Sequence, residues 1–252
     1  MNATIATTGG PELAARAARE LEEASAPEII AWAAETFGSE LCMTSSMADA
    51  LMVDLASRAA PGIDVIFLDT GYHFPETIGT RDAVASVYDI TLINVEPSRT
   101  VAEQDLVLGP RLHGRDPGIC CHLRKVEPLQ RALEPYSAWL TGLRREDSVT
   151  RRDTPEVQWD RRRRMTKVNP IARWTQEEVD AYLAELAECR ADLFLDFLTD
   201  ELHPHLRSKL RVSESGHGLF GYSYGGLFAL YAWLRDTGLF TSVGAGSPGV
   251  AS

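Results

Sequence analysis

The sequence lacks any long apolar run. Residues 226–234 form one of the longest, and they fall far short of the roughly 18 residues that a transmembrane helix needs. The first 24 residues also lack the basic start and apolar core of a secretory signal peptide. We therefore predict neither a membrane partner nor export, and we expect the chain to work in the cytoplasm.

Cysteine is scarce, with four in 252 residues. Cys120 and Cys121 are adjacent, which does not suit a framework of disulfides. In a reducing compartment, adjacent cysteines point to metal or redox chemistry instead. Hydrophobic residues make up 44% of the chain and aromatic residues 8%, as expected for a folded globular protein.

Basic residues are fewer than acidic ones, 25 against 36, which gives a formal net charge of −11. Such a charge disfavours nonspecific binding to nucleic acid or to an anionic membrane. Eight arginines nevertheless fall between Arg144 and Arg164. We interpret residues 161–164 as a solvated turn. Capture of an anion suits Arg144 and Arg145 better, since they directly follow a predicted strand.

Short apolar runs alternate with amphipathic segments over most of the chain. The strands are predicted at residues 41–43, 65–68, 91–95, 138–141 and 167–171, with helices between them. This alternation indicates an α/β fold with a mainly parallel, doubly wound sheet of five or six strands over residues 25–185.

Polar groups follow several of the predicted strands, where ligands bind in such sheets. Two serines and an acid, at 45, 46 and 49, precede a helix whose free N–H groups can bind an anion, although an ordinary helix cap has the same pattern. Thr70 and Gly71 follow the second strand, and Gly142 and Arg144 follow a later one. Cys120, Cys121 and Lys125 lie on the segment before that strand.

The order and spacing of these groups resemble the assimilatory sulfonucleotide reductases. The matching motifs are the loop SSM-x-D, then LDTGYHFPET, CCHLRKVEPL, TGLRRED and KVNPIARWTQEEVDAY. The resemblance covers about residues 21–184. The paired cysteines point to the iron–sulfur, adenylyl-sulfate branch rather than the cluster-free branch that uses phosphoadenylyl sulfate, which stays the alternative substrate. The resemblance implies an adenine nucleotide α-hydrolase-like sheet.

The resemblance also implies a reaction and a site. In the family, a thiolate on a C-terminal tail attacks the sulfur of adenylyl sulfate and expels AMP, and thioredoxin then releases sulfite from the S-sulfocysteine. By motif, Cys120 and Cys121 match ligands of a four-iron, four-sulfur cluster. The residues matching the nucleotide site are Ser45, Ser46, Asp49, Thr70, Gly71, Lys125, Gly142 and Arg144.

The sequence departs from the family in its cysteines. It has neither the second ligand pair, Cys-x-x-Cys, nor the terminal Glu-Cys-Gly-(Leu or Ile)-His segment with the nucleophile. After Cys121 the chain offers only Cys189, and Cys42 is predicted to lie in the core. We expect an incomplete or absent cluster and impaired turnover. The alternative is a protein that binds an adenine nucleotide without catalysis.

The last part of the chain carries a different motif. Residues 221–225 form a G-x-S-x-G nucleophile elbow around Ser223, and residues 191–249 resemble the esterases of the α/β-hydrolase group. A catalytic triad of that group runs serine, acid, histidine. After Ser223 the chain offers Asp236 and no histidine. We therefore predict two domains, 1–188 and 189–252, the second an inert esterase-like fragment; a serine esterase using Ser223 is the alternative.

Overall fold

The computed structural model describes residues 9–211, 213, 216–222, 224–235 and 238–246, without the side chains of 187–190, 222, 224 and 227. The chain divides into two compact units, Met1–Thr175 and Gln176–Ser252. Ser223, Asp236 and the side chain of Cys189 lie outside the described part. Among the described helices, none combines the length and apolar character needed to cross a bilayer.

The first unit contains a six-stranded sheet in the order β3-β2-β1-β4-β6-β5. Its strands are β1 (Leu41–Ser45), β2 (Ile63–Leu68), β3 (Ile90–Val95), β4 (Ala138–Leu140), β5 (Val157–Asp160) and β6 (Met165–Val168). All neighbours are parallel except β5, which pairs antiparallel with β6. The predicted doubly wound, mainly parallel α/β sheet is confirmed. The sequence analysis missed β5.

Eight helices of this unit precede or connect the strands. They are α1 (Pro11–Glu20), α2 (Ala26–Phe37), α3 (Leu51–Ala59), α4 (Pro75–Val87), α5 (Val101–Leu108), α6 (Leu112–Arg115), α7 (Pro117–Cys121) and α8 (Glu127–Leu133). Capping boxes begin two of them: Ser25 with Glu28 at α2, and Thr100 with Glu103 at α5. One π-helical turn, His122–Val126, connects α7 to α8.

The central strands supply the core of the first unit. Cys42 and Met43 of β1, with Val65 and Phe67 of β2, are fully buried, as expected where helices cover both faces of a sheet. Cys42 packs with Trp139 and other apolar residues in one cluster. Its thiol lies 3.8 Å from the Ala138 carbonyl oxygen, and burial raises the pKa of that thiol above its ordinary value. The prediction that Cys42 is a core residue is confirmed.

The described part of the second unit begins with helices and continues with a strand, a helix and a second strand. Its helices are α9 (Gln176–Asp196), a π-helical segment (Phe197–Leu202), α10 (His203–Lys209) and α11 (Tyr224–Leu234). The strands β7 (His217–Tyr222) and β8 (Phe240–Gly246) pair in parallel. The predicted division at residues 188 and 189 lies inside α9, whereas the compact units divide at Thr175 and Gln176.

The predicted nucleophile elbow has the expected strand–turn–helix context, with β7 before it and α11 after it. Gly221 shows why a glycine is needed there: a Cβ on this residue would lie 1.8 Å from the backbone oxygen of Gly225. The end of β7 and the start of α11 therefore lie in close contact, and Ser223 itself falls outside the described residues.

Candidate functional site at the carboxyl edge of the sheet

The strand order locates a crevice in the first unit. From β1 the chain passes to β2 and β3 on one side, and then returns to β4 on the other side of β1. Ligands of open α/β sheets bind outside the carboxyl ends of the strands at such a reversal. Ser45 ends β1 and Thr141 directly follows β4. The loops that follow these two residues therefore flank the crevice.

The loop between β1 and α3 is shaped by its own polar groups. Met47 has a positive φ of 55° and a buried side chain. Its N–H donates to the Ser45 hydroxyl at 3.1 Å, and Asp49 accepts from the N–H of Leu51 at 3.0 Å, at the start of α3. Ser45 and Asp49 thus brace the loop, while Ser46 is exposed. The exposed Ser46 thus lies in the loop that leads to the first turn of α3.

The end of β2 is a tight polar turn. Asp69 accepts from the N–H of Gly71 at 3.0 Å, and the buried Thr70 accepts from the N–H of Tyr72 at 3.3 Å. Gly71 has φ +74°, and a Cβ there would lie 3.0 Å from Arg124 Nη2. Both its conformation and its close neighbour therefore require glycine.

Arg124 is a residue that the sequence analysis missed. It is 3% exposed, and its guanidinium donates to the carbonyl oxygen of Thr70 and to Gln104 Oε1. It also lies over the ring of Tyr72, 5.2 Å from the ring centroid. Arg124 thereby fixes the end of β2 against the segment after α7. Cys120, Arg124 and Pro128 recur at every fourth residue and are all buried in the structure, but the spacing alone does not single out Arg124 in the sequence.

Lys125 lies on the π-helical turn beside Arg124 and is exposed. Among the described residues, no carboxylate forms an ion pair with it. A single π turn is often found at functional sites. The two neighbouring cations of this turn occupy different environments, since Arg124 is buried and Lys125 is exposed.

The two adjacent cysteines differ in exposure: Cys120 is buried and Cys121 is exposed. A cubane iron–sulfur cluster requires four thiolates or equivalent ligands. The described residues contain no group of three or more histidine, cysteine, aspartate or glutamate side chains that could bind a metal ion. Cys42 is sealed in β1 with a raised pKa. On their own, the described residues do not fit a four-iron cluster.

The loop after β4 contains the predicted glycine and arginine, Gly142 and Arg144. A Cβ on Gly142 would lie 3.1 Å from Met52 Cγ, so this loop passes close to the first turn of α3. Arg144 is 15% exposed and pairs with Asp147 at 3.2 Å. Arg145, which the sequence also suggested for anion capture, is instead bonded to both oxygens of the buried Glu156, at 3.1 and 3.2 Å.

The arginines of the β5–β6 turn lie at the other end of the sheet. Arg162, Arg163 and Arg164 line a groove of about 910 Å³ together with Glu40 and Glu134, next to the amino ends of β1, β4 and β6. Arg161, Arg162 and Arg164 are exposed, in agreement with the solvated turn that we predicted. Arg163 differs, because it is partly buried, pairs with Asp160 at 2.9 Å and lies over the ring of Trp139. These residues are thus separate from the crevice at the carboxyl edge.

Comparison with known proteins supports this description of the first unit. The family model "Phosphoadenosine phosphosulfate reductase domain" matches residues 40–195. An adenosine 5'-phosphosulfate reductase of Streptomyces coelicolor is 61% identical over 173 residues, which are 69% of this chain and 73% of that protein. One of Mycolicibacterium smegmatis is 55% identical over 172 residues, 68% of this chain and 73% of that protein.

A solved structure agrees with both sequence relatives. The phosphoadenylyl-sulfate reductase of Candida auris, crystallised as a phosphate complex, superposes with a TM-score of 0.61 at 29% identity, covering 71% of this chain and 88% of that one. A second family model, "Putative esterase", matches residues 157–252. The resemblance to esterases therefore has its own match, one that overlaps the first from residue 157 onwards. On these matches and this fold, the chain belongs to the phosphoadenosine phosphosulfate reductase family.

Proposed function

We propose that this chain is an adenosine 5'-phosphosulfate reductase-type protein that binds the sulfonucleotide, or AMP, at the carboxyl edge of its sheet. The observation that carries the proposal is the convergence of three strand-end loops, after β1, β2 and β4, at the reversal of strand order. Each loop contains a residue that the family resemblance assigns to the nucleotide: Ser46, Thr70 and Arg144.

The chemistry of the edge suits an anionic nucleotide. In the proposed site, the N–H groups at the start of α3 and the Ser46 hydroxyl bind the phosphosulfate, and Arg144 and Lys125 add charge-assisted hydrogen bonds. Thr70 and Gly71 lie along the nucleoside. Because AMP leaves as an anion, cations fixed at this edge also stabilise the charge that develops in the transition state.

Reduction requires a thiolate that attacks the sulfur of the bound sulfonucleotide. That thiolate would become an S-sulfocysteine, and a thioredoxin-type dithiol would release sulfite while being oxidised to its disulfide. The described residues do not fit the family's cluster, and no step of this proposed reaction depends on it. We propose that binding is retained and that turnover to sulfite and AMP is impaired.

Titration and a coupled assay test the two parts of the proposal on one sample. Isothermal titration with AMP and with adenylyl sulfate measures binding, and sulfite release in the presence of reduced thioredoxin measures turnover. Binding without sulfite release is the expected result. Absence of binding by either nucleotide would refute the proposed function, whereas rapid sulfite release would refute only the impairment.

An esterase is a second candidate, favoured by the family match of residues 157–252 and by the strand–turn–helix context of the elbow. A serine hydrolase needs a base that activates its nucleophile. The sequence supplies no histidine after Ser223. We therefore place this function second, and labelling of Ser223 by a fluorophosphonate probe would test it directly.

A further inference from the structure

Arg144, the proposed phosphate-binding arginine, is followed by an arginine, Arg145, that has different partners. The backbone of Arg144 is extended, with φ −118° and ψ 150°, and Arg145 begins a short 3₁₀ helix, Arg145–Asp147. Arg144 pairs with Asp147 in its own loop, whereas Arg145 bonds to Glu156, which precedes β5.

Arg145 ties the loop to two other segments. Its Nε donates to the Thr154 carbonyl oxygen at 2.8 Å and its Nη2 to both Glu156 oxygens. Its backbone N–H donates to the Ala172 carbonyl oxygen at 2.8 Å. Most donors of this residue are therefore occupied by protein acceptors. The position of Arg145, and with it the backbone of Arg144, depends on these bonds.

Glu156 is the centre of this arrangement. Its side chain is 2% exposed, and its carboxylate also forms an ion pair with Arg173, whose Nε lies 3.2 Å from Oε1. Arg173 in turn pairs with Glu23, whose side chain is 91% exposed. One buried carboxylate thus compensates two partly buried guanidinium groups. Removing such a carboxylate leaves its cationic partners uncompensated, which is far more costly than losing an exposed pair.

A second link fixes the other end of the same loop. The buried Thr141 hydroxyl donates to Asn169 Oδ1 at 2.7 Å, and Asn169 Nδ2 donates to the Pro155 carbonyl oxygen at 2.9 Å. The backbone N–H of Asn169 also donates to the Glu156 carbonyl oxygen at 2.6 Å. The segment 154–156 is therefore joined to both ends of the loop that carries Gly142 and Arg144.

We propose that Glu156 is a positioning residue of the nucleotide site: through Arg145 it fixes the loop after β4, so that Arg144 is held ready for the phosphate. The inference rests on the proposed function, because it assigns Arg144 to the bound nucleotide. Glu156 itself does not touch the ligand. Its effect on binding is transmitted by Arg145, which distinguishes it from a residue that only adds stability.

The test combines nucleotide titration with a double-mutant cycle on the full chain. Glu156→Gln keeps the size of the side chain, and we expect it to weaken AMP and adenylyl-sulfate binding by about tenfold. In an Arg144→Ala background the same change should alter affinity by less than about twofold, because contacting residues that act together are not additive. Glu23→Gln, which removes the exposed end of the same ion-pair chain, is the matched control and should bind as wild type.

Hydrogen exchange of the unliganded chain provides a second readout. We expect faster exchange across residues 141–147 in Glu156→Gln, with helices elsewhere unchanged. Should that variant fail to fold, Arg145→Lys keeps the charge but loses the planar fork that reaches both Thr154 and Glu156. It should show the same loss of affinity and the same dependence on Arg144.

The outcomes separate the two claims. Wild-type affinity in Glu156→Gln, or an equal loss with and without Arg144, would overturn the positioning role. Absence of nucleotide binding by the wild-type chain would instead overturn the proposed function, and exchange across residues 141–147 would still show whether Glu156 fixes the loop.

Discussion

The two units of the chain differ in how completely their sheets are built. The first unit has six strands with helices that bury both faces of β1 and β2. The second has two parallel strands, β7 and β8, and α11 beside them. Parallel sheets occur almost only where both faces are covered. Among the described residues of the second unit, β7 and β8 have no further strand paired beside them.

Exposed apolar side chains show the same contrast. Among the described residues, seven large hydrophobic side chains are exposed in each unit, although the second unit has only 77 residues. They include Phe220 on β7, which is 78% exposed, and Leu234 at the end of α11, which is 83% exposed. A family match alone therefore does not make a unit functional. The proposed nucleotide site lies at a sheet edge of the first unit, and the second unit carries a nucleophile-elbow motif in its sequence.

Limited proteolysis should give the largest difference between the units. We expect cleavage between about residues 186 and 216 and a stable N-terminal core, because a unit of this size is near the lower limit for a self-supporting core. Fragment masses over a time course of trypsin digestion measure this. A C-terminal half that outlasts the first unit would reverse the comparison.

Thiol labelling should distinguish packed from accessible cysteines within the first unit. Cys42 is fully buried. Burial raises the pKa of its thiol, and the negative charge of the nearby Asp64 raises it further, so little reactive thiolate forms at neutral pH. Cys121 is exposed. With iodoacetamide at pH 8 we expect labelling of Cys121 and none of Cys42 until the chain is unfolded. Comparable labelling of both in the native protein would contradict the packed core.

Affinity for nucleotide should fall when either proposed cation is removed. Arg144→Ala and Lys125→Ala should each weaken binding of adenylyl sulfate by about 1–3 kcal/mol, since charge-assisted hydrogen bonds of partly buried groups are worth that much. The effect of Lys125→Ala should be at the lower end, because this residue is exposed. Titration measures both.

A control for these variants comes from the other edge of the sheet. Arg162→Ala removes an exposed arginine of the β5–β6 turn and should leave affinity unchanged. Unchanged affinity in both Arg144→Ala and Lys125→Ala would remove the site from this edge.

Much of this site was predictable because strand ends in a parallel sheet share one edge. The runs at 41–43, 65–68 and 138–141 predicted strands, and the structure confirms β1, β2 and β4 there. The edge strand β5 was missed because Gln158 and Asp160 make it polar and it is only four residues long. The domain boundary predicted at residues 188 and 189 lies within a continuous helix, α9, which runs from Gln176 to Asp196.

Side-chain roles within the motifs were harder to predict. Lys125 and Arg124 are adjacent in sequence, and only the structure shows that Arg124 is the buried one. Arg144 and Arg145 are likewise adjacent, and the partner of Arg145, Glu156, lies outside every motif. An ion pair between a partly buried arginine and a buried glutamate 11 residues later leaves no periodic signal in sequence.

The iron content of the purified chain should differ only slightly from that of a variant without its paired cysteines. Cys120 and Cys121 supply two thiolates, and the described residues offer no third metal-binding side chain beside them. We expect substoichiometric iron and acid-labile sulfide in protein purified without oxygen, and less still in a Cys120→Ser, Cys121→Ser control. A full complement of four irons per chain with a strong visible band would show that other thiolates complete the cluster.

Esterase activity should show no difference at all between wild type and Ser223→Ala. The elbow context is present, with Gly221 packed against the backbone of Gly225. Two of the described histidines that precede it, His203 and His217, face each other, with their Nε2 atoms 3.1 Å apart. Since no histidine follows Ser223, its hydroxyl has no base in the order that the fold uses and stays unactivated. Hydrolysis of p-nitrophenyl acetate by both proteins, with buffer alone as the baseline, measures this. A clear excess in the wild type would give the second unit a function of its own and break the contrast between the two units.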